Sequence, residues 1–221
     1  PGDTDSSSLP VVALEYRFTN TSRQRVSAVF SFNTKNFLPL DGRDKRGVRA
    51  TPGGFTLWSA GAAAEPQREA ALTVTVDDPD VKVNHAWFRG GWWDPLTMAW
   101  RDVEQGAAYD RPPITEGDPS PGATLFVPID LAPGASRTIA VRIAWFAGDT
   151  TIRIGTDPPP APPATAPDRY YRPWYAGRFT GVDQVTAFWR DQFRDLRARS
   201  EQFAACFYDT TLPPEVVEAV S

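Results

Sequence analysis

Cysteine and histidine each occur once in these 221 residues, as Cys206 and His85. A lone cysteine excludes a disulfide framework and a thiolate metal centre within the chain. A lone histidine removes His-rich zinc sites and leaves Ser-His-Asp catalysis with one possible base. Lysine is scarce, and basic charge is carried by arginine except at Lys35, Lys45 and Lys82. No apolar run approaches the roughly 18 residues that cross a bilayer. Excess positive charge is also missing. The formal net charge is -4, and the densest basic stretch, Arg43-Asp44-Lys45-Arg46, is interrupted by an acid, which argues against a nucleic-acid partner. None of these absences identifies a compartment.

What remains is a chain of 41% hydrophobic and 23% charged residues, the balance of a globular protein. From Leu9 to about Ile154 apolar and polar residues alternate with period two, the pattern of half-buried strands. Leu14, Tyr16 and Phe18 share one face, as do Val26, Ala28, Phe30 and Phe32 after a turn at Asn20-Thr21-Ser22-Arg23, so the two segments read as a hairpin. Further strands are expected at Phe55–Trp58, Leu72–Val76, Thr124–Phe126 and Ile139–Trp145. Turn clusters at Asp77–Asp80 and Ala132-Pro133-Gly134 punctuate them. The pattern predicts a mainly β protein, an antiparallel β-sandwich.

The run 157–167 holds six prolines, too many missing N–H donors for a helix or inner strand, and predicts an extended loop. Beyond it the period changes. Trp189, Phe193, Leu196, Ser200, Phe203 and Phe207 recur at spacings of three and four, one apolar stripe on a helix from about Asp183 to Tyr208. Thr180 and Asp183 are candidates for a capping box at its start.

The densest unusual segment runs from Asn84 to Asp102 and contains Trp87, Trp92, Trp93 and Trp100 among Arg89, Asp94 and Arg101. Aromatic faces with Arg and Asp neighbours suit carbohydrate, because rings stack on sugar C–H faces while polar groups fix hydroxyls. The same residues also suit a core strand or a contact between domains. Asp94, Asp102 and Glu104 are candidate carboxylates for acid/base work at a glycosidic bond, although such residues beside Arg commonly form ion pairs. His85 next to Trp87 reads as a hydrogen-bonded core or edge residue before it reads as a base. Asn20-Thr21-Ser22 fits a glycosylation sequon, but its position reads as a turn. Gly53-Gly54 and Gly90-Gly91 lack the context of a phosphate loop and mark sharp turns.

Pro1 stands where an initiator Met would, and the segment Leu212–Val220 starts a helix that Ser221 ends after barely two turns. A helix that short is marginal alone, so the chain is expected to be part of a larger protein.

Several segments together carry a resemblance. They are Pro1-Gly2-Asp3, Ser8-Leu9-Pro10-Val11, Glu15-Tyr16-Arg17 with Asn20-Thr21-Ser22, Phe88-Arg89-Gly90-Gly91-Trp92-Trp93-Asp94, Pro173-Trp174-Tyr175 with Phe179, and Phe207-Tyr208-Asp209-Thr210-Thr211-Leu212-Pro213. In this order they resemble the amino-terminal domain of glycoside hydrolase family 116, the non-lysosomal (bile-acid type) glucosylceramidases and related microbial β-glucosidases. The resemblance implies a β-sandwich followed by an (α/α)6 toroid that holds a Glu nucleophile and an Asp acid/base for retaining hydrolysis. Neither role falls on a residue here, and no cofactor or metal is implied. It also implies that the family's earliest strands are missing from the start, which leaves an exposed sheet edge.

On this reading residues 1–178 form the sandwich domain, with the Pro-rich loop at 157–167. Residues 179–221 are the linker helix and the start of the helical catalytic domain, the chain's partner. The parent protein would act on a β-glucoside or glucosylceramide. Arg89, Trp92, Trp93, Asp94, Trp100 and Arg101 are the candidates for a substrate entrance or domain interface. The competing readings are an autonomous carbohydrate-binding sandwich using Trp92, Trp93 and Trp100, and a free-standing enzyme with an internal carboxylate pair.

Overall fold

The computed structural model describes residues 3–42, 44–61, 65–152 and 171–220. The expected extended loop at 157–167 lies outside them. Eight strands are described: β1 (Val11–Thr19), β2 (Val26–Lys35), β3 (Lys45–Thr51), β4 (Gly54–Ala60), β5 (Ala70–Thr75), β6 (Lys82–Asn84), β7 (Gly122–Leu131) and β8 (Ser136–Phe146). The helices are the short α1 (Thr4–Ser7), α2 (Pro95–Glu104), α3 (Val182–Tyr208) and α4 (Pro214–Val220). Two antiparallel sheets result, one in the order β1-β8-β5-β4-β3 and one in the order β2-β7-β6. The expected mainly β architecture, two antiparallel sheets followed by a long helix, is what forms.

Alternation assigns each residue its face. In the large sheet Phe55, Leu57, Val74, Ile139 and Val141 point inward. They meet Leu125, Val127, Ile129 and Leu131 of β7 in one buried core. Val74, Val141, Leu125 and Val127 are fully buried.

The expected hairpin of β1 and β2 does not form. β1 pairs with β8, Tyr16 opposite Ile139, while β2 pairs with β7, Phe30 opposite Val127. The two strands belong to different sheets and face each other across the core, with Tyr16 and Phe30 ring centroids 5.0 Å apart. A period of two states which face a residue occupies but not which strand lies beside it. The turn between them is an arch, locked by Asn20. Its Nδ2 donates to the carbonyls of Gln24 (2.8 Å) and Leu131 (2.9 Å), and its Oδ1 accepts from the Ser22 N–H (3.0 Å). Both amide hydrogens of this buried side chain are engaged, which supports the turn reading over the sequon.

β3 and β4 form a true hairpin through Pro52 and Gly53. Gly53 adopts φ +75, a conformation natural to glycine after a turn proline.

Each sheet has a covered outer face. α3 packs across β8 and β5 of the large sheet, burying Val182, Val185, Trp189 and Phe193. Its observed span matches the stripe, but the predicted capping box is absent. The N-cap is Gly181, with no side-chain bond; Gln184 Oε1 instead accepts from the Thr180 N–H (2.9 Å), and Asp183 pairs with Arg49. α2 lies against β2 of the small sheet. β1 is an edge strand, and its inward residues Val12, Leu14 and Tyr16 are partly open to solvent.

Candidate functional site

The tryptophan-rich segment divides in two. Trp87 is core. It is 3% exposed, its Nε1 donates to Thr124 Oγ1 (2.9 Å) and its backbone N–H to Ser120 Oγ (2.9 Å), fixing the segment after β6 onto the outer face of β7. His85 is buried beside it. Its Nδ1 lies 2.8 Å from the carbonyl of Arg111, and its Nε2 lies 3.3 Å from that of Gly54 at the start of β4. The histidine thus joins the two sheets, as the hydrogen-bonded core reading expects.

The remaining three tryptophans are exposed: Trp92 at 92%, Trp93 at 53% and Trp100 at 61%. They sit on α2 and the loop leading into it, a segment whose helical character the sequence reading missed. The signal was present. Asp94-Pro95 is a capping residue followed by proline at the first helical position. Asp94 carries out that cap, its Oδ1 accepting from the N–H groups of Leu96 (2.9 Å) and Thr97 (3.0 Å). The Thr97 hydroxyl also donates to Asp94 and, with the two backbone donors, holds its carboxyl below the usual range.

The other candidates have equally definite positions. Arg101 stacks over the Trp93 ring, 4.8 Å from its centroid. Trp100 Nε1 donates to Glu104 Oε1 at 2.8 Å. Arg89 is not part of this group; its guanidinium donates to the backbone carbonyls of Glu116 (3.2 Å) and Asp118 and so anchors a neighbouring loop.

The three candidate carboxylates do not converge. Asp94 and Asp102 are eight residues apart, about 12 Å along the helix axis, and Asp102 and Glu104 point to different sides at two-residue spacing. Burial raises the Asp102 carboxyl above its ordinary value, opposed by the attraction of Arg111. Among the described residues no group of three or more His, Cys, Asp or Glu side chains is gathered as a metal ion requires.

A second feature lies on the other face of the sandwich. α3 stays close to the large sheet up to Phe193, and its distal half overhangs edge strand β1. Between them is an open groove of about 1400 Å³ lined by Leu9, Val11, Leu196, Phe203 and Phe207. The ion pairs Arg197–Glu15 and Arg199–Asp3 frame it.

The family model for beta-glucosidase 2, glycosyl-hydrolase family 116 N-term, matches residues 1–197. The chain belongs to this family. No curated protein matches the sequence. The match covers both sheets and α3 as far as Arg197. It also contains the whole tryptophan surface on α2.

Proposed function

We propose that this chain is the non-catalytic amino-terminal domain of a retaining β-glucosidase of family 116, with residues 1–178 as the sandwich and 179–221 leading into a helical catalytic domain. Its role is to buttress that domain and shape its entrance. The observation that carries this reading is the distal half of α3. A 27-residue helix buries Val182, Val185, Trp189 and Phe193 on the sheet, then presents Phe203 at 56% exposure and an exposed Cys206 over an open groove. An apolar stripe continued past its own support fits a second body packed on it. The family membership supports a glycoside hydrolase domain as that body, and its catalytic carboxylates would lie there rather than on α2.

The test compares hydrolysis of an aryl β-glucoside by this 221-residue chain and by a protein extended downstream through the helical domain. Activity confined to the extended protein is expected. Turnover by the 221 residues alone would overturn the reading and return attention to Asp94, Asp102 and Glu104. In the extended protein, turnover of glucosylceramide against a soluble β-glucoside then decides the substrate.

A further inference from the structure

The exposed rings lie on the sheet face opposite α3, so the apolar groove and the overhanging helix do not cover them. Trp is highly buried on average, and a soluble surface rarely gathers large apolar side chains without a use. Trp100 stands on α2, and Trp92 and Trp93 stand in the loop before its cap, Asp94. On α2 Leu96, Trp100 and Glu104 follow at four-residue steps, one stripe on the solvent side, while Ala99 faces inward.

We propose that the outward face of α2 and its leading loop binds β-linked gluco-oligosaccharides, with Trp93 and Trp100 as the stacking platforms. The rings are fixed before any ligand arrives. Glu104 holds the Trp100 indole through its Nε1, and Arg101 stacks over Trp93, which stays half exposed. Such pre-organisation lowers the ordering cost of binding. Trp92, at 92% exposure, extends the platform beyond the helix.

The chemistry between the rings favours sugar over a protein groove. A protein-binding helix face is a row of aliphatic anchors, whereas here Leu96 is the lone aliphatic side chain of the stripe and Arg101 and Glu104 stand beside the indoles. A guanidinium and a carboxylate are what sugar hydroxyls require as donor and acceptor. The family is named for a β-glucosidase, which makes β-linked glucosyl units the sugar to test. This face is separate from the α3 groove on which the buttressing reading rests.

Cellotetraose and laminaritetraose are titrated into the protein by calorimetry and tryptophan fluorescence, with maltotetraose as the α-linked control. Saturable binding of a β-linked probe is expected, with affinity falling about tenfold in Trp100→Ala and in Trp93→Ala. Both side chains are exposed, and unchanged circular dichroism confirms that the variants fold. Trp174→Ala, exposed elsewhere and bonded to Asp5, should bind as the parent does. Absence of saturable binding at millimolar probe, or equal loss in Trp174→Ala, overturns the proposal. So does loss of binding in the downstream-extended protein with all three rings shielded from iodide quenching, which makes the face a domain contact.

Discussion

Glu15 on β1 and Arg197 on α3 are 182 residues apart in sequence and meet in a two-point ion pair, Nε to Oε1 at 2.5 Å and Nη2 to Oε2 at 2.8 Å. The pair holds the overhanging half of α3 above the sheet edge. The long helix is thus held at two levels, by apolar burial over β8 and β5 and by charge over β1.

The Arg197 guanidinium holds the Glu15 carboxyl below its ordinary value. The sign follows from linkage. A carboxyl depressed on folding contributes stability that is complete above its unfolded pKa and is lost as pH falls through the folded value. Glu15→Gln should therefore lower Tm at neutral pH by a small amount, because the pair is partly exposed, and the two Tm curves should close in acid. Thermal unfolding from pH 7 down to pH 3 checks this, and added salt should shrink the neutral-pH gap. A gap that widens in acid would contradict the assignment.

Phe193 fixes the helix to the sheet more strongly. It is 9% exposed, packs edge-on against Trp189 at 5.1 Å, and lies under the Arg142 guanidinium at 4.4 Å. Phe193→Ala removes a buried ring and leaves a cavity, a change that costs about 3–5 kcal/mol. Urea unfolding followed at 222 nm should show the loss together with reduced helical signal. A cost below about 1 kcal/mol, the level of ordinary surface substitutions, would show that α3 does not depend on this contact.

Asp102 has the opposite sign from Glu15. Partial burial raises its carboxyl, with Arg111 opposing, so ionising it in the folded protein is unfavourable and stability declines as pH rises through that titration. Asp102→Asn should be more stable than the parent at neutral pH and equal to it in acid. Tm measured at pH 7 and pH 3 decides the matter; a variant less stable at pH 7 would mean that the attraction of Arg111 outweighs the desolvation.

Local chemistry determined much of this molecule. Alternation sorted the faces of β4, β5, β7 and β8, the three-and-four spacing from Trp189 to Phe207 marked α3, and Pro213-Pro214 marked the start of α4, all because side-chain period is a property of the backbone alone. Asp94-Pro95 carried the start of α2 in the same local way, although the surrounding tryptophans drew the reading toward strand or loop. Tertiary structure decided the rest. The same alternating pattern serves a hairpin or two strands facing across a core, and Tyr16 meets Phe30 across the sandwich because β8 and β7 take the adjacent places. Likewise nothing local separates Trp87 from Trp92. One is buried because Thr124 of β7 comes within reach of its indole, a contact 37 residues away in sequence, and the other is exposed because, among the described residues, no element of the sandwich covers the loop before α2.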